Sequence, residues 1–426
     1  MSHDHAKPVR APLRIQLLIV AVLAPFFAAT VLGLLALWPD RAVKTTPEGI
    51  GLSNDLVRGT ITAIVEGPCP GDEPGGQPAP DPVEPTPGES AAPGEPGEPA
   101  APDVTCMQVT SRLTSGKQAG QLVVFEVTQV EGSAGYNIDD KVVLAYQADA
   151  PADLQYRIVD RQRGRPLIVL AVAFALAVVL LGRWRGLAAL AGLAVSLAVL
   201  LKFVIPALLL GENPLAVALV GSSVLMFVAL YLAHGFSVRT STAVLGTLAS
   251  LALTVLLGWA FSGATELSGL ASEEANFLQG SFGGVDPRGL LLAGVVIGAL
   301  GVLDDVTVTQ ASAVWELRAA NPAYGVWDLY RAAVRIGRDH IASTVNTLVL
   351  AYAGAALPAL LIFGASDIAF GNVINLEVVA REVVATLVGS IGLVAAVPIT
   401  TGIAVWLARG LPEVEVEAAA EQAHSH

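Results

Sequence analysis

The chain has 426 residues, of which 54% are hydrophobic and only 14% charged, with a mean hydropathy of +0.62. This composition predicts long segments within a lipid bilayer and not a soluble globular protein. Eight acidic residues between positions 72 and 103 carry much of the net charge of −13. Since no basic stripe could neutralise phosphates, a nucleic-acid partner is excluded. Two cysteines and six scattered histidines exclude a zinc ribbon, a disulfide-dense scaffold and an iron–sulfur protein.

The first 38 residues are typical of a membrane anchor. Residues 15–38 are almost wholly apolar and long enough to cross a hydrocarbon core of about 30 Å. The basic residues Lys7, Arg10 and Arg14 precede this segment and also resemble the start of a signal peptide. Because the apolar run exceeds a usual signal-peptide core and no clear cleavage site follows, we predict an uncleaved helix with residues 1–14 in the cytoplasm.

Residues 40–165 change to short runs of alternating β-branched and polar residues, which predict an extracytoplasmic β domain. A small barrel or a sandwich fits five short strands, with an oligonucleotide/oligosaccharide-binding barrel as one alternative. The predicted strands are 57–65, 104–113, 121–130, 141–147 and 154–159.

An insertion at 67–103 interrupts this domain. It holds twelve of the 26 prolines and no large apolar residue except valine, so it cannot bury enough surface to offset chain entropy, and we predict disorder. Cys69 and Cys106 flank it, and on an oxidising side of a membrane they would form a disulfide. Two unpaired thiols are the alternative.

Residues 166–408 predict seven further membrane helices, so the fold class is a mostly α-helical polytopic membrane protein with about eight transmembrane helices. Eleven lysines and arginines fall on the side of the N-terminus and three in short loops on the other side. The positive-inside rule therefore predicts that both termini, including the acidic tail 409–426, are cytoplasmic. The predicted spans are 166–181, 187–210, 215–233, 243–261, 289–303, 341–363 and 383–407.

Asp304 and Asp305 stand at the end of the shortest predicted span. Two interpretations stay open: a broken helix whose carboxylates line a polar cavity, or acids in headgroup water that begin a surface helix. If the helix continues, Asp305, Thr309 and Ser312 share one face. We place Asp305 in the membrane interior and Asp304 toward the interface.

Further polar residues occupy the other predicted spans. His340, Thr344 and Thr347 recur at helical spacing, and Asn346 and Thr347 are either interhelical packing groups or oxygen ligands that face Asp305. Lys202 is the single charge in its apolar run, so it extends to the headgroups or pairs with an acid in the bundle. The histidines at both ends suggest at most weak metal binding, and the metal is left unassigned.

Seven blocks of the helical half of the sequence form a recognisable signature. The blocks are Gly298 to Leu317, Ile336–His340, Thr344–Tyr352, Gly389–Gly392, Pro398–Thr400, Lys202–Pro206 and Gly211–Pro214. They resemble the YibE/F family of bacterial multi-pass membrane proteins, and the resemblance covers most of the chain. In the family pattern a single acid aligns with Asp305, which makes Asp304 an addition of this chain. The block that contains Asp339 and His340 adds both residues to the site candidates.

The resemblance implies the layout of anchor, outer domain and seven spans but no assigned reaction. Clustered spans with a polar segment favour a permease of unknown solute in the plasma membrane, coupled to a small cation or proton. A cell-envelope scaffold whose β domain binds a partner protein is the alternative, and an intramembrane hydrolase is more remote. No motif for a cofactor or an enzyme is present, and a homo-oligomer stays open.

Overall fold

The computed structural model describes residues 12–41, 55–67, 104–130, 135–148, 150–151, 155–282, 284–366 and 369–409. The chain divides into a helical unit, Met1–Val43 with Ala175–His426, and a β unit, Lys44–Phe174. Helix α1, Leu13–Ala36, is apolar apart from Arg14, Gln16 and Thr30 and is about 36 Å long at 1.5 Å per residue. Its residues Ile19 and Leu23 are buried in a cluster with Met226, so α1 packs on the other helices of its own unit.

The β unit is a five-stranded antiparallel sheet in the order β3-β2-β1-β4-β5. Its edge strands β3 and β5 contact each other, so the sheet curls into a half-barrel. All five predicted strands are present and shift by at most two residues at either end. The strands are β1 (Asp55–Gly67), β2 (Val104–Leu113), β3 (Leu122–Val130), β4 (Lys141–Tyr146) and β5 (Tyr156–Arg161).

The inward face of this sheet carries the core of the β unit. Ile61, Val109 and Val142 on three adjacent strands are fully buried, which follows from the alternation of apolar and polar residues along each strand. The turn after β2 contains Gly116, which lies beside Val57 and has φ +89°, a conformation that favours glycine.

The predicted insertion and disulfide lie largely outside the described residues. On β2, Cys106 is buried and pairs with Gly67 of β1, two residues before Cys69. Cys69 and residues 68–103 are not among the described residues, so the disulfide and the disorder stay predictions.

Helix α2, Gly164–Val199, contains the tight connection that the sequence predicts between two spans. Arg183 has φ 50° and ψ −128°, outside the helical region. A Cβ on Gly186 would lie 2.3 Å from the carbonyl oxygen of Val178, whereas eight residues of straight helix cover about 12 Å. The chain therefore reverses at Arg183.

The second half of α2 continues through a π-helical segment, Leu200–Val204, into α3, Ile205–Leu209. Pro206 has no amide proton and cannot complete the regular hydrogen-bond ladder, which accounts for the widened turn before it. The predicted span 187–210 is thus helical but not a regular α-helix.

The core of the helical unit is built by four long helices. They are α4 (Pro214–His234), α5 (Val238–Ala264), α7 (Pro287–Ala320) and α11 (Glu377–Ala408). Asn213 caps α4 through its Oδ1, which accepts from Ala216 N at 3.0 Å, and Ser237 caps α5 in the same way at Thr240 N, 3.1 Å. Such capping residues fix where an apolar helix begins.

Helix α7 overturns the prediction of a short broken span. It runs without a break over 34 residues, so Asp304 and Asp305 neither interrupt a helix nor begin one. The glycines before the acids lie within regular helix because α7 is packed along its length against α4, α5, α8 and α11. The surface helix that the alternative interpretation begins at these acids is instead the second half of α7.

Helices α8 (Val326–Ala355) and α9 (Leu357–Gly364) form a pair bent by 67°, where the prediction had one span at 341–363. Pro358 at the start of α9 explains the bend, since proline cannot continue the ladder of α8. Short helices α6 (Glu273–Phe282) and α10 (Phe370–Val373) complete the unit. In the described part of the chain, six helices are long and apolar enough to cross a membrane, and the bent pair would make a seventh.

Candidate functional site

Helix α5 brings a row of hydroxyl groups into the helical core. Thr247, Ser250 and Thr254 follow one another at helical spacing and are fully buried. Their hydroxyls donate to carbonyls one turn earlier in the same helix, at 3.0, 2.8 and 2.9 Å. Because the hydrogens are used within the helix, each hydroxyl oxygen presents lone pairs to its neighbours.

Helix α11 packs on this row through two glycine–threonine contacts. A Cβ on Gly246 of α5 would lie 2.2 Å from Thr400 Oγ1, and one on Gly392 of α11 would lie 2.1 Å from Thr254 Oγ1. Each glycine therefore makes room for a threonine of the other helix. Small residues of this kind let apolar helices approach closely.

Helix α7 completes the site with Asp304. Its neighbour one turn later, Thr307, lies 2.7 Å from Thr247 between their Oγ1 atoms, and the Thr247 hydroxyl also neighbours the Asp304 carboxyl group. The Oδ1 atom of Asp304 is fully buried and has no hydrogen-bond partner among the described residues. We call Asp304, Thr247 and Thr307 the Asp304 cluster.

The placement of the two acids is the reverse of the prediction. The Asp305 side chain is 70% exposed, whereas Asp304 turns its carboxyl group toward α5. Successive residues of a helix differ by about 100° in direction, so only one of two adjacent acids can face the core. The prediction that Asp304 lies toward the interface and Asp305 lies inside is therefore wrong.

Asp305 meets a different predicted residue, His340 of α8. His340 Nε2 lies 3.5 Å from Asp305 Oδ2, but the two groups are not aligned for a hydrogen bond. Asp339 next to His340 is exposed. Among the predicted site residues that the structure describes, Asp305 and His340 are the pair whose side chains lie close together.

The remaining predicted site residues do not gather around Asp305. Asn346 and Thr347 are exposed on α8, and Thr347 Oγ1 donates to the Ser343 carbonyl of its own helix at 3.0 Å. Thr309 is exposed and bonds to its own helix in the same manner. The prediction that Asn346 and Thr347 face Asp305 as oxygen ligands is not supported by this exposure.

Lys202 and Ser312 also lie away from the Asp304 cluster. Lys202 is exposed in the π-helical segment, which favours the interpretation that its amine reaches the headgroups. Ser312 lines a separate groove, described below. Neither residue contributes to a common site with Asp305.

Gln310 is a buried polar residue that the sequence reasoning missed. It is 2% exposed and its Nε2 donates to the Ala333 carbonyl of α8 at 2.8 Å. Gly337 of α8 makes room for its side chain, since a Cβ there would lie 2.5 Å from Gln310 Oε1. Helical spacing could have indicated this inward face, because Thr307, Gln310 and Val314 recur at intervals of three and four and are all buried.

Two openings lie at different ends of α7. A groove of 780 Å³ is lined by Thr240 and Ala243 of α5 and by Val308 of α7, among others, so its floor is one turn from Thr247 and Asp304. A smaller pocket of 300 Å³ reaches Val295 and Tyr352. Val295 and Val308 are 13 residues apart, about 20 Å along a helix, and the Asp304 cluster lies between them.

The sequence model of the YibE/F-like protein family matches residues 170–410. This match covers more than half of the chain and most of the helical unit, so the chain belongs to the YibE/F-like family. No curated protein and no solved structure matches the chain at a significant level. The family assignment therefore confirms the predicted resemblance but supplies no activity.

The donor set of the Asp304 cluster consists of oxygen atoms alone. One carboxylate and two hydroxyls suit a proton or a hard cation better than a soft metal. Within the described residues, no group of three His, Cys, Asp or Glu side chains could hold a metal ion. The cluster therefore fits weak or transient binding better than a tightly held structural metal.

Proposed function

We propose that the chain is a membrane permease that moves a proton or a small cation through the helical unit, with Asp304 as the acidic group that binds it. The proposal depends on one observation: a buried carboxylate oxygen without a partner, in the middle of a long apolar helix. An isolated carboxylate away from water is neutralised by a proton or a cation or is paired. Placing the Asp304 carboxyl group here would lower stability if it served helix packing alone, which supports a functional role.

Access to the Asp304 cluster supports the same proposal. The groove ends one helical turn from Asp304 on one side, and the smaller pocket approaches along α7 from the other. Neither opening is lined by Asp304 itself. A partly buried acidic site between two openings is the arrangement expected of an alternating-access carrier.

We place this permease in the bacterial plasma membrane, with both termini cytoplasmic and the β domain outside. The support is the charge count, together with Arg185 and Arg239, which line the groove at one end of the bundle, because arginines concentrate on the cytoplasmic side of a membrane. Single cysteines introduced into a cysteine-free variant test this orientation. A cysteine near Gly269, at the exposed Glu273, should react with an impermeant maleimide in intact cells, and one at Pro322 only after permeabilisation. The reverse pattern would overturn the orientation.

Reconstitution tests the permease proposal. The purified full chain is placed in liposomes that contain a pH-sensitive dye, and a potassium gradient with valinomycin drives proton entry; a parallel series follows radioactive sodium uptake. We expect flux of one of these ions above that of protein-free liposomes, and Asp304→Asn should abolish it. Flux no greater than in protein-free liposomes for both ions would reject the proposal.

A scaffold role is the second candidate, and exposed apolar residues of the β unit favour it. Leu122, Val124 and Ile138 are between 51% and 59% exposed, as expected of a surface that binds another protein. A scaffold would be inert in liposomes. Exchange of these three residues for threonine should then reduce recovery of a cell-envelope partner after crosslinking, and unchanged recovery would reject the scaffold role.

A further inference from the structure

The 780 Å³ groove has a basic rim and an apolar wall. Arg185 of α2 and Arg239 of α5 are among its lining residues, and the His234 imidazole at the end of α4 also lines it. As far as the structure describes the chain, no carboxylate lines the groove. The local charge therefore favours an anionic ligand.

The beginning of α5 adds to this electrostatic preference. Ser237 caps Thr240 N at 3.1 Å, whereas the amides of Val238 and Arg239 precede the first intrahelical hydrogen bond. Such amides point out of a helix and attract phosphate groups. Because Val238 and Arg239 line the groove, backbone and side-chain donors converge on the same space.

The surroundings of the groove favour an amphiphile over a soluble anion. Phe236 lines it and is 89% exposed, and Trp184 beside Arg185 is 84% exposed. Ala189, Ala233 and Val308 supply the apolar wall. Exposed aromatic residues next to arginines are typical of the headgroup level of a bilayer.

We propose that this groove binds the phosphate headgroup of an anionic phospholipid, with Arg185 and Arg239 as its phosphate ligands. Arg239 also forms an ion pair with Glu316, NH2 to Oε1 at 2.8 Å. The lipid phosphate competes with this carboxylate for the guanidinium. Since the groove floor is one turn from Asp304, a bound lipid would occupy the entrance on that side of the bundle.

Native mass spectrometry of the purified full chain in detergent tests the proposal. Dioleoyl phosphatidylglycerol, dioleoyl phosphatidylcholine and glycerol 3-phosphate are titrated separately. We expect phosphatidylglycerol to bind at least tenfold more tightly than either of the others. Equal binding of both lipids would reject charge recognition, and glycerol 3-phosphate binding as tightly as phosphatidylglycerol would reject a lipid ligand.

Matched arginine variants locate the binding site. Arg185→Gln and Arg239→Gln should each weaken phosphatidylglycerol binding about fivefold, the effect of one basic residue near an anionic surface. Arg183→Gln removes an exposed charge two residues before Arg185, outside the groove lining, and should leave binding unchanged. Equal loss in the Arg183 variant would show a diffuse surface effect and reject the site.

Glu316→Gln provides a test in the opposite direction. It releases Arg239 from its ion pair, so phosphatidylglycerol should bind more tightly than to the wild-type chain. No change, or weaker binding, would reject Arg239 as a phosphate ligand. This readout needs no ion flux, so the lipid site and the permease proposal fail or survive independently.

Discussion

The two faces of α7 carry polar residues of similar type in very different environments. On the inner face, Thr307 and Gln310 are buried and Asp304 turns its carboxyl group inward, whereas on the outer face Asp305 and Thr309 are exposed. The inner groups contact α5 and α8, whereas on the outer face Thr309 bonds to its own helix and Asp305 lies 3.5 Å from His340 Nε2 without a hydrogen bond. A polar residue in an apolar helix is thus informative only together with the direction in which it points.

The largest stability effect is expected where the inner helices approach most closely. Gly392→Val on α11 would place a side chain 2.1 Å from Thr254 Oγ1, and overpacking of this kind costs about 1 to 3 kcal/mol or more. We expect a clearly lower midpoint of thermal unfolding for the detergent-solubilised protein. The control is Gly402→Val on the same helix, where a Cβ meets open space; an equal drop there would contradict the close-packing interpretation.

A smaller loss is expected from the inner face of α7 itself. Gln310→Ala removes the hydrogen bond to the Ala333 carbonyl and leaves a cavity, for a cost of about 1 to 3 kcal/mol. Thr309→Ala on the outer face should change stability by less than about 0.5 kcal/mol. Denaturant titration of both variants measures the difference. Equal losses would show that the two faces of α7 do not differ in packing as described.

The sequence did not predict which residues of α7 face the core of the helical unit. The strands of the β unit were predictable because apolar and polar residues alternate in them, and Val104–Leu113 is observed as predicted. In contrast, α7 is apolar on most of its circumference, so periodicity could not decide between Asp304 and Asp305. The resemblance favoured Asp305, and a single step of about 100° separates that answer from the observed one.

The inner face of α5 was predictable in principle. Thr247, Ser250 and Thr254 recur at intervals of three and four in an apolar span, which is the spacing of one helix face. The site prediction instead started from the charged residues and did not include these uncharged hydroxyl groups. The exposure of Asn346 on α8 could not be predicted, because it depends on which side of α8 the other helices pack.

The smallest effect is expected at an exposed acid of the β unit, Asp160. Arg163 NH1 lies 2.5 Å from its Oδ1, and the hydrogen bond from Arg163 holds the pKa of Asp160 below its usual value. Because that pKa is lowered on folding, the pair stabilises the β unit above the unfolded pKa of about 3.9, and this contribution is lost as pH falls through the folded pKa. Asp160→Asn should therefore lower stability only slightly at pH 7, because the pair is exposed to solvent, and its difference from wild type should disappear as pH falls below about 4. Thermal unfolding from pH 3 to pH 8 measures this, and a large loss at pH 7 would contradict it.

The most direct measurement compares Asp304→Asn with Asp305→Asn in the same liposome flux assay. Both substitutions remove one charge from adjacent positions of α7 at nearly constant size, so charge loss alone cannot separate them. We predict that Asp304→Asn lowers flux to the level of protein-free liposomes, while Asp305→Asn stays within about twofold of wild type because its carboxylate is exposed. Full flux in Asp304→Asn, or loss confined to Asp305→Asn, would contradict the assignment of the transport site to the inner face of α7.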